Sequence, residues 1–192
     1  MADYNLKDDV FKWLETYGFK QNDPKMHWPS IKFFHKEVDE YMDAVTEGDE
    51  IGTLLEMIDV QWQIHNMRYY GISEDAIKIA GMFYLDALVV PNSPEIMIED
   101  AAVKIMLAEK AVSQANWSKI CNSEAEAKYS VYLYKRGEHP QKMGHVIETI
   151  WEKVGDHYVV RTPEGKGMKS YLCRNPRDIY NELIAKHTAD EK

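Results

Sequence analysis

The chain has 192 residues, enough for one domain with a small appendage, and its 45% hydrophobic content supplies a real core and argues against disorder. With 23 Lys+Arg against 32 Asp+Glu and a formal net charge of -9, it offers no overall electrostatic footprint for nucleic acid or anionic lipid, and neither is an expected partner. Two cysteines, Cys121 and Cys173, make no disulfide framework. The polar start Met-Ala-Asp-Tyr-Asn is no secretory signal, and the longest apolar stretch, near Leu85 to Val90, is too short to cross a bilayer. The expected location is cytoplasmic and reducing.

The expected elements run as follows. Asp8 to Tyr17 has Val10, Phe11, Trp13, Leu14 and Tyr17 at helical spacing, with Gly18 as a stop. After a polar stretch with Pro24 and Pro29, Ser30 is placed to cap a helix from Ile31 to Val45, with Phe34, Val38, Tyr41 and Val45 on one face and Gly48 at its end. A third helix spans Ile51 to Tyr70, with Leu54, Leu55, Ile58, Trp62 and Met67 facing inward and Gly71 closing it. Ser73 opens a fourth, reaching Leu88. Val89 to Pro94 connects, and Ser93 with Pro94 opens a fifth, from Glu95 to Trp117.

A sixth helix begins at Ser123, where Ser123 and Glu126 form a capping box, and stops at Gly137. The period then changes. His145 to Glu152 reads as strand, Gly155-Asp156 as a turn, Tyr158 to Val160 as strand, Pro163 to Gly165 as a turn, and Met168 to Cys173 as a third short strand. Asn175-Pro176 starts a closing helix to Lys186. The expectation is a mainly α fold, an antiparallel helical bundle over residues 1–137, with a small β-meander and helix over residues 138–192 appended to the same domain.

One pattern carries chemistry. Glu37 and Glu40 lie three apart on the second expected helix, and Glu56 and Asp59 do so on the third. A short polar link around Thr46 to Glu50 makes the two helices antiparallel neighbours, so four carboxylates can converge between them. Apolar residues flank both pairs: Val38 and Tyr41 beside the first, Met57, Ile58, Val60 and Trp62 beside the second. Crowded carboxylates at the edge of a core need a compensating cation. Oxygen ligands without His or Cys suit Mg²⁺ or Mn²⁺, ions that also bind phosphates. The bland alternative is a solvated acidic face.

Trp28 or Trp62 is placed to stack on a base, against the alternative of simple core packing. Lys166 and Lys169 offer cationic contacts from the tail. His27, His35 and His65 are too scattered for zinc. Walker and Rossmann glycine patterns and a G-x-S-x-G elbow are absent, which counts against ATPase motors, dinucleotide oxidoreductases and serine hydrolases.

Glu37-x-x-Glu40 followed by Glu56-x-x-Asp59 resembles the all-α nucleoside triphosphate pyrophosphohydrolases: MazG-like proteins, dimeric dUTPases and phosphoribosyl-ATP pyrophosphohydrolase. Val112-Ser-Gln-Ala-Asn-Trp-Ser-Lys119 is similar to the V-H-x-S-N-M-S-K segment of one MazG-like branch. The segments Ser123 to Ala127, Gly155 to Val160 and Gly165 to Ser170 resemble that branch's tail. Lys36 departs from the pattern, standing where many members carry another glutamate. Ser113 replaces the usual His and Trp117 the usual Met, and the stretch from Gly71 to Asn116 is longer by roughly one helix and connector.

The resemblance implies an enzyme that hydrolyses a (deoxy)nucleoside triphosphate to the monophosphate and pyrophosphate by water attack at the α-phosphorus, in nucleotide-pool control. dGTP, GTP or dUTP lead as substrates. Metal would be held by Glu37, Glu40, Glu56 and Asp59, with Glu37 or Glu40 as base; Asn116 would contact sugar or phosphate and Lys119 the phosphates. It also implies a homodimer or dimer of dimers. The competing readings are phosphoribosyl-ATP pyrophosphohydrolase, which is usually shorter, and a non-catalytic helical oligomeric adaptor.

Overall fold

The structure, a computed structural model, describes residues 5–81 and 95–190, with the side chains of residues 95–100 and 190 outside the description. Among the described residues it is mainly helical: α1 Leu6–Thr16, α2 His27–Glu47, α3 Glu50–Tyr69, α4 Glu74–Gly81, α5 Glu95–Trp117, α6 Glu124–Arg136 and α7 Pro176–Asp190. Strands β1 Ile150–Val154, β2 His157–Arg161 and β3 Gly167–Met168 form one antiparallel sheet in that order. The chain divides into two compact units. One holds Met1–Phe11, Lys20–Ser113 and Pro176–Lys192; the other holds Lys12–Phe19 and Gln114–Asn175. The closing helix α7 therefore sits with the first unit, and the meander with α6 in the second.

The first unit is built on the α2–α3 hairpin. Gly48 ends α2 at φ 70°, a left-handed conformation that glycine adopts without a Cβ penalty. The N–H of Gly48 bonds Val45 O and that of Asp49 bonds Ala44 O, which satisfies the last carbonyls of α2. The Asp49 side chain then accepts from the Gly52 N–H and caps α3. Two residues thus end one helix and start the next, and the helices return side by side. Phe34 and Val38 of α2 meet Val60 and Met67 of α3, with Ile72 and Ile77 closing the cluster. Each such side chain contributes about 1.5–3 kcal/mol on burial. Helix α3 is covered around much of its circumference, with Gly52, Leu55, Ile58, Val60, Trp62, Asn66, Met67 and Tyr69 all buried. Glu56 and Asp59, between those buried positions, are half-buried, whereas Glu50 in the first turn is exposed.

Helix α2 starts earlier than expected. Asp23 caps a 3-10 turn over Pro24–Met26 that runs directly into α2 at His27. Pro29 then falls in the first turn, where a missing N–H costs nothing. Ser30 is therefore not a cap; its hydroxyl donates to the His27 carbonyl within the helix. Ala44 takes the buried place expected of Val45, which is exposed, and Leu54 is half-buried. The expected extension of α4 to Leu88 and the Val89–Pro94 connector lie outside the described residues.

In the second unit, α6 packs on β1 and β2. Ser123 caps α6 as expected, accepting from the Glu126 N–H, but the Glu126 carboxylate accepts from Asn122 N–H rather than closing the box on Ser123. Its other oxygen accepts from the Ser170 hydroxyl, while Tyr171 N–H donates to Ser130 Oγ. These bonds hold residues 170–174 away from the sheet, so β3 is two residues long and the strand expected to reach Cys173 ends at Met168. The first strand begins only at Ile150, because Ile147 N–H is already bonded to the Tyr134 carbonyl. Cys121 and Cys173 are free thiols. Among the described residues no helix is long and apolar enough to cross a membrane.

Candidate metal centre

The hairpin brings the two acidic pairs into register. Glu37, Glu56 and Asp59 each offer one carboxylate oxygen, and these oxygens lie within 4.8 Å of one another. All three residues are half-buried, as expected for a motif at the rim of an apolar helix–helix seam.

Burial and like charge act together there. Desolvation first, and then the charge of Asp59, push the Glu37 carboxyl up to about 8, with Lys36 only partly offsetting them. Glu56 is pushed up to about 7, mainly by burial and then by Asp59 and Glu40. At neutral pH the free cluster thus retains protons that a divalent cation would displace. The donor set is oxygen only, a set that could hold a metal ion.

Glu40 stands outside this group. Its carboxylate is 45% exposed and lies 2.6 Å from Lys36 Nζ, one helical turn earlier, while Lys36 Nζ also lies 3.6 Å from Glu37 Oε1. The acidic neighbours hold the Lys36 ammonium above the usual lysine range despite its partial burial. A second cation was not legible in the spacing: Arg177 of α7, which ion-pairs with Asp49 and lowers the Glu56 carboxyl slightly. No local pattern links Arg177 to residues so far back along the chain.

The residues expected to hold the substrate fall in two places. Trp28, in the first turn of α2, is 65% exposed, and the Lys32 ammonium lies 5.6 Å from its ring centroid. Trp62 is 2% exposed and belongs to the core, so it presents no face to a base. Asn116, Lys119, Lys166 and Lys169 belong to the second unit. There Asn116 is buried; its carbonyl accepts from Trp13 Nε1 and its side-chain oxygen from Lys119 Nζ. Lys169 Nζ lies 3.5 Å from Gln141 Oε1, and Lys166 is exposed in the β2–β3 turn. Of the departures from the resembled pattern, Ser113 is buried and donates to Asp9, and Trp117 packs beside Tyr17, Ile120 and Val159.

Comparison of the chain with family models, with characterised proteins and with solved structures gives no match.

Proposed function

We propose that the protein is a divalent-metal-dependent pyrophosphohydrolase that converts a (deoxy)nucleoside triphosphate to the monophosphate and pyrophosphate, a fold of the all-α type acting as a homodimer. The observation that supports this reading most is the half-buried convergence of Glu37, Glu56 and Asp59, which is costly unless a cation is bound. Mg²⁺ or Mn²⁺, when bound there, supplies charge neutralisation for the phosphates.

Glu56 and Asp59 of α3 and Glu37 of α2 would hold the ion. Glu37 or Glu40 would take the proton from the attacking water. The water oxygen bonds to the α-phosphorus, the bond from that phosphorus to the bridging oxygen breaks, and pyrophosphate leaves.

The test is a panel of ribo- and deoxynucleoside triphosphates with Mg²⁺, assayed separately for pyrophosphate and orthophosphate. Pyrophosphate from one or a few nucleotides is the expected result. Orthophosphate alone would overturn the mechanism, and no turnover with either metal would turn the reading toward phosphoribosyl-ATP or a non-catalytic protein.

A further inference from the structure

The polar side of α3 does not end at its carboxylates. Asp59, Gln63 and Asn66 stand at i, i+4 and i+7 and share one face of the helix, with Asn66 about 10.5 Å along the axis from Asp59. Asp59 and Gln63 are half-buried, whereas Asn66 is only 9% exposed, on a stretch of α3 where Trp62, Met67 and Tyr69 are buried as well.

The Asn66 amide is half satisfied. Its Nδ2 donates to Gln63 Oε1 at 2.7 Å, while its Oδ1 is buried and has no hydrogen-bond partner among the described residues. A buried acceptor left unmet costs free energy that leucine, of nearly the same shape, would not. Asn66 therefore carries a polar group that the fold itself does not use. Gln63 stands between it and Asp59 on the same face, and a nucleotide with its phosphates at the carboxylate end would extend its sugar and base along the helix on this scale.

We propose that Asn66 is a specificity-determining residue whose Oδ1 accepts a hydrogen bond from the nucleoside part of the substrate, a base N–H or a sugar O–H, with the Gln63 side chain turning aside to admit it. This deepens the pyrophosphohydrolase reading given above and rests on it. The bond discriminates because a nucleoside that carries the donor satisfies the buried oxygen, and one that lacks it leaves the oxygen unmet. The amide is needed for selection among nucleotides and not for the fold.

The experiment determines kcat and KM for the ribo- and deoxynucleoside triphosphates with Mg²⁺, in the intact protein and in Asn66→Leu, together with melting temperatures without nucleotide. Asn66→Leu is expected to melt no lower than the intact protein and to lose about tenfold or more of the preference for the best nucleotide over the poorest, through KM. Preference lost among bases assigns the donor to the base; preference lost between the ribo- and deoxy- forms of one base assigns it to the sugar. Should the leucine variant not fold, Asn66→Ala is read for the same loss of preference. An unchanged preference, an equal loss for every nucleotide, or an intact protein that hydrolyses the whole panel alike would overturn the role of Asn66 and leave the pyrophosphohydrolase reading standing. No turnover of any nucleotide by the intact protein would overturn that reading, and the role of Asn66 with it.

Discussion

Glu56 sits on a helix that is buried around much of its surface, beside Asp59 and within range of Glu40, and its carboxyl is pushed up to about 7. Replacing it with glutamine removes a negative charge while preserving shape. Glu56→Gln is expected to lower pyrophosphate release by about 10²-fold or more and to raise the melting temperature of the metal-free protein at pH 8 by roughly 2–4 °C. Wild-type turnover in this variant would remove Glu56 from the site. The same crowding sets a pH dependence whose sign follows from linkage. Glu37 and Glu56 bind protons more tightly in the folded state than in the unfolded chain, where their ordinary value is 4.5. Their stabilising protonation is complete below 4.5 and is lost as pH rises through about 7 and about 8. Metal-free protein is expected to fall in melting temperature between pH 5 and pH 8.5, with other titrations subtracted by reference to a Glu37→Gln/Glu56→Gln double variant. Saturating Mg²⁺ is expected to abolish that fall; a flat metal-free profile would contradict the electrostatic account.

At the scale of elements, the α2–α3 turn does two jobs with two residues. Asp49 caps α3 and also ion-pairs with Arg177 from α7, so Asp49→Ala loses both. The variant is expected to be less stable and to bind Mn²⁺ more weakly, because the register of the two acidic pairs depends on the same turn. Ser170→Ala breaks the bond to the buried Glu126 carboxylate in the second unit. It should destabilise by about 1–3 kcal/mol in denaturant unfolding and leave Mn²⁺ affinity unchanged. The hairpin was legible in the sequence because its determinants are local: glycine at a left-handed position, an aspartate cap, and acid pairs three apart on each side. The strand limits were less legible. His145 to Thr149 has strand-like composition, but the Ile147 N–H is bonded to the end of α6, and Ser170 is drawn to Glu126 from across the fold. The start of α2 was misplaced because Ser30 resembles a cap, whereas Asp23 two prolines earlier begins the helical run. Glu37, Glu56 and Asp59 bring oxygens within 4.8 Å of one another, while Glu40 lies beside Glu37 and pairs with Lys36, a geometry that spacing does not encode.

Over the whole molecule the net charge conceals a division. The first unit has 12 Lys+Arg against 24 Asp+Glu, and the second has 11 against 8. The expected cation ligands lie in the acidic unit and the expected phosphate contacts in the basic one, a partition the chain-wide value of -9 does not reveal. The two sets are therefore separable by mutation. Lys119→Ala is expected to raise KM for the nucleotide about tenfold, the loss of one charge-assisted bond, while Mn²⁺ affinity stays as it was. Unchanged KM would leave Lys119 as a structural partner of Asn116. Attack at the α-phosphorus is tested by hydrolysis of the best nucleotide in ¹⁸O-enriched water. Mass spectrometry is expected to find the label in the nucleoside monophosphate and none in pyrophosphate. Label in the pyrophosphate, or in orthophosphate released alongside a nucleoside diphosphate, would contradict it.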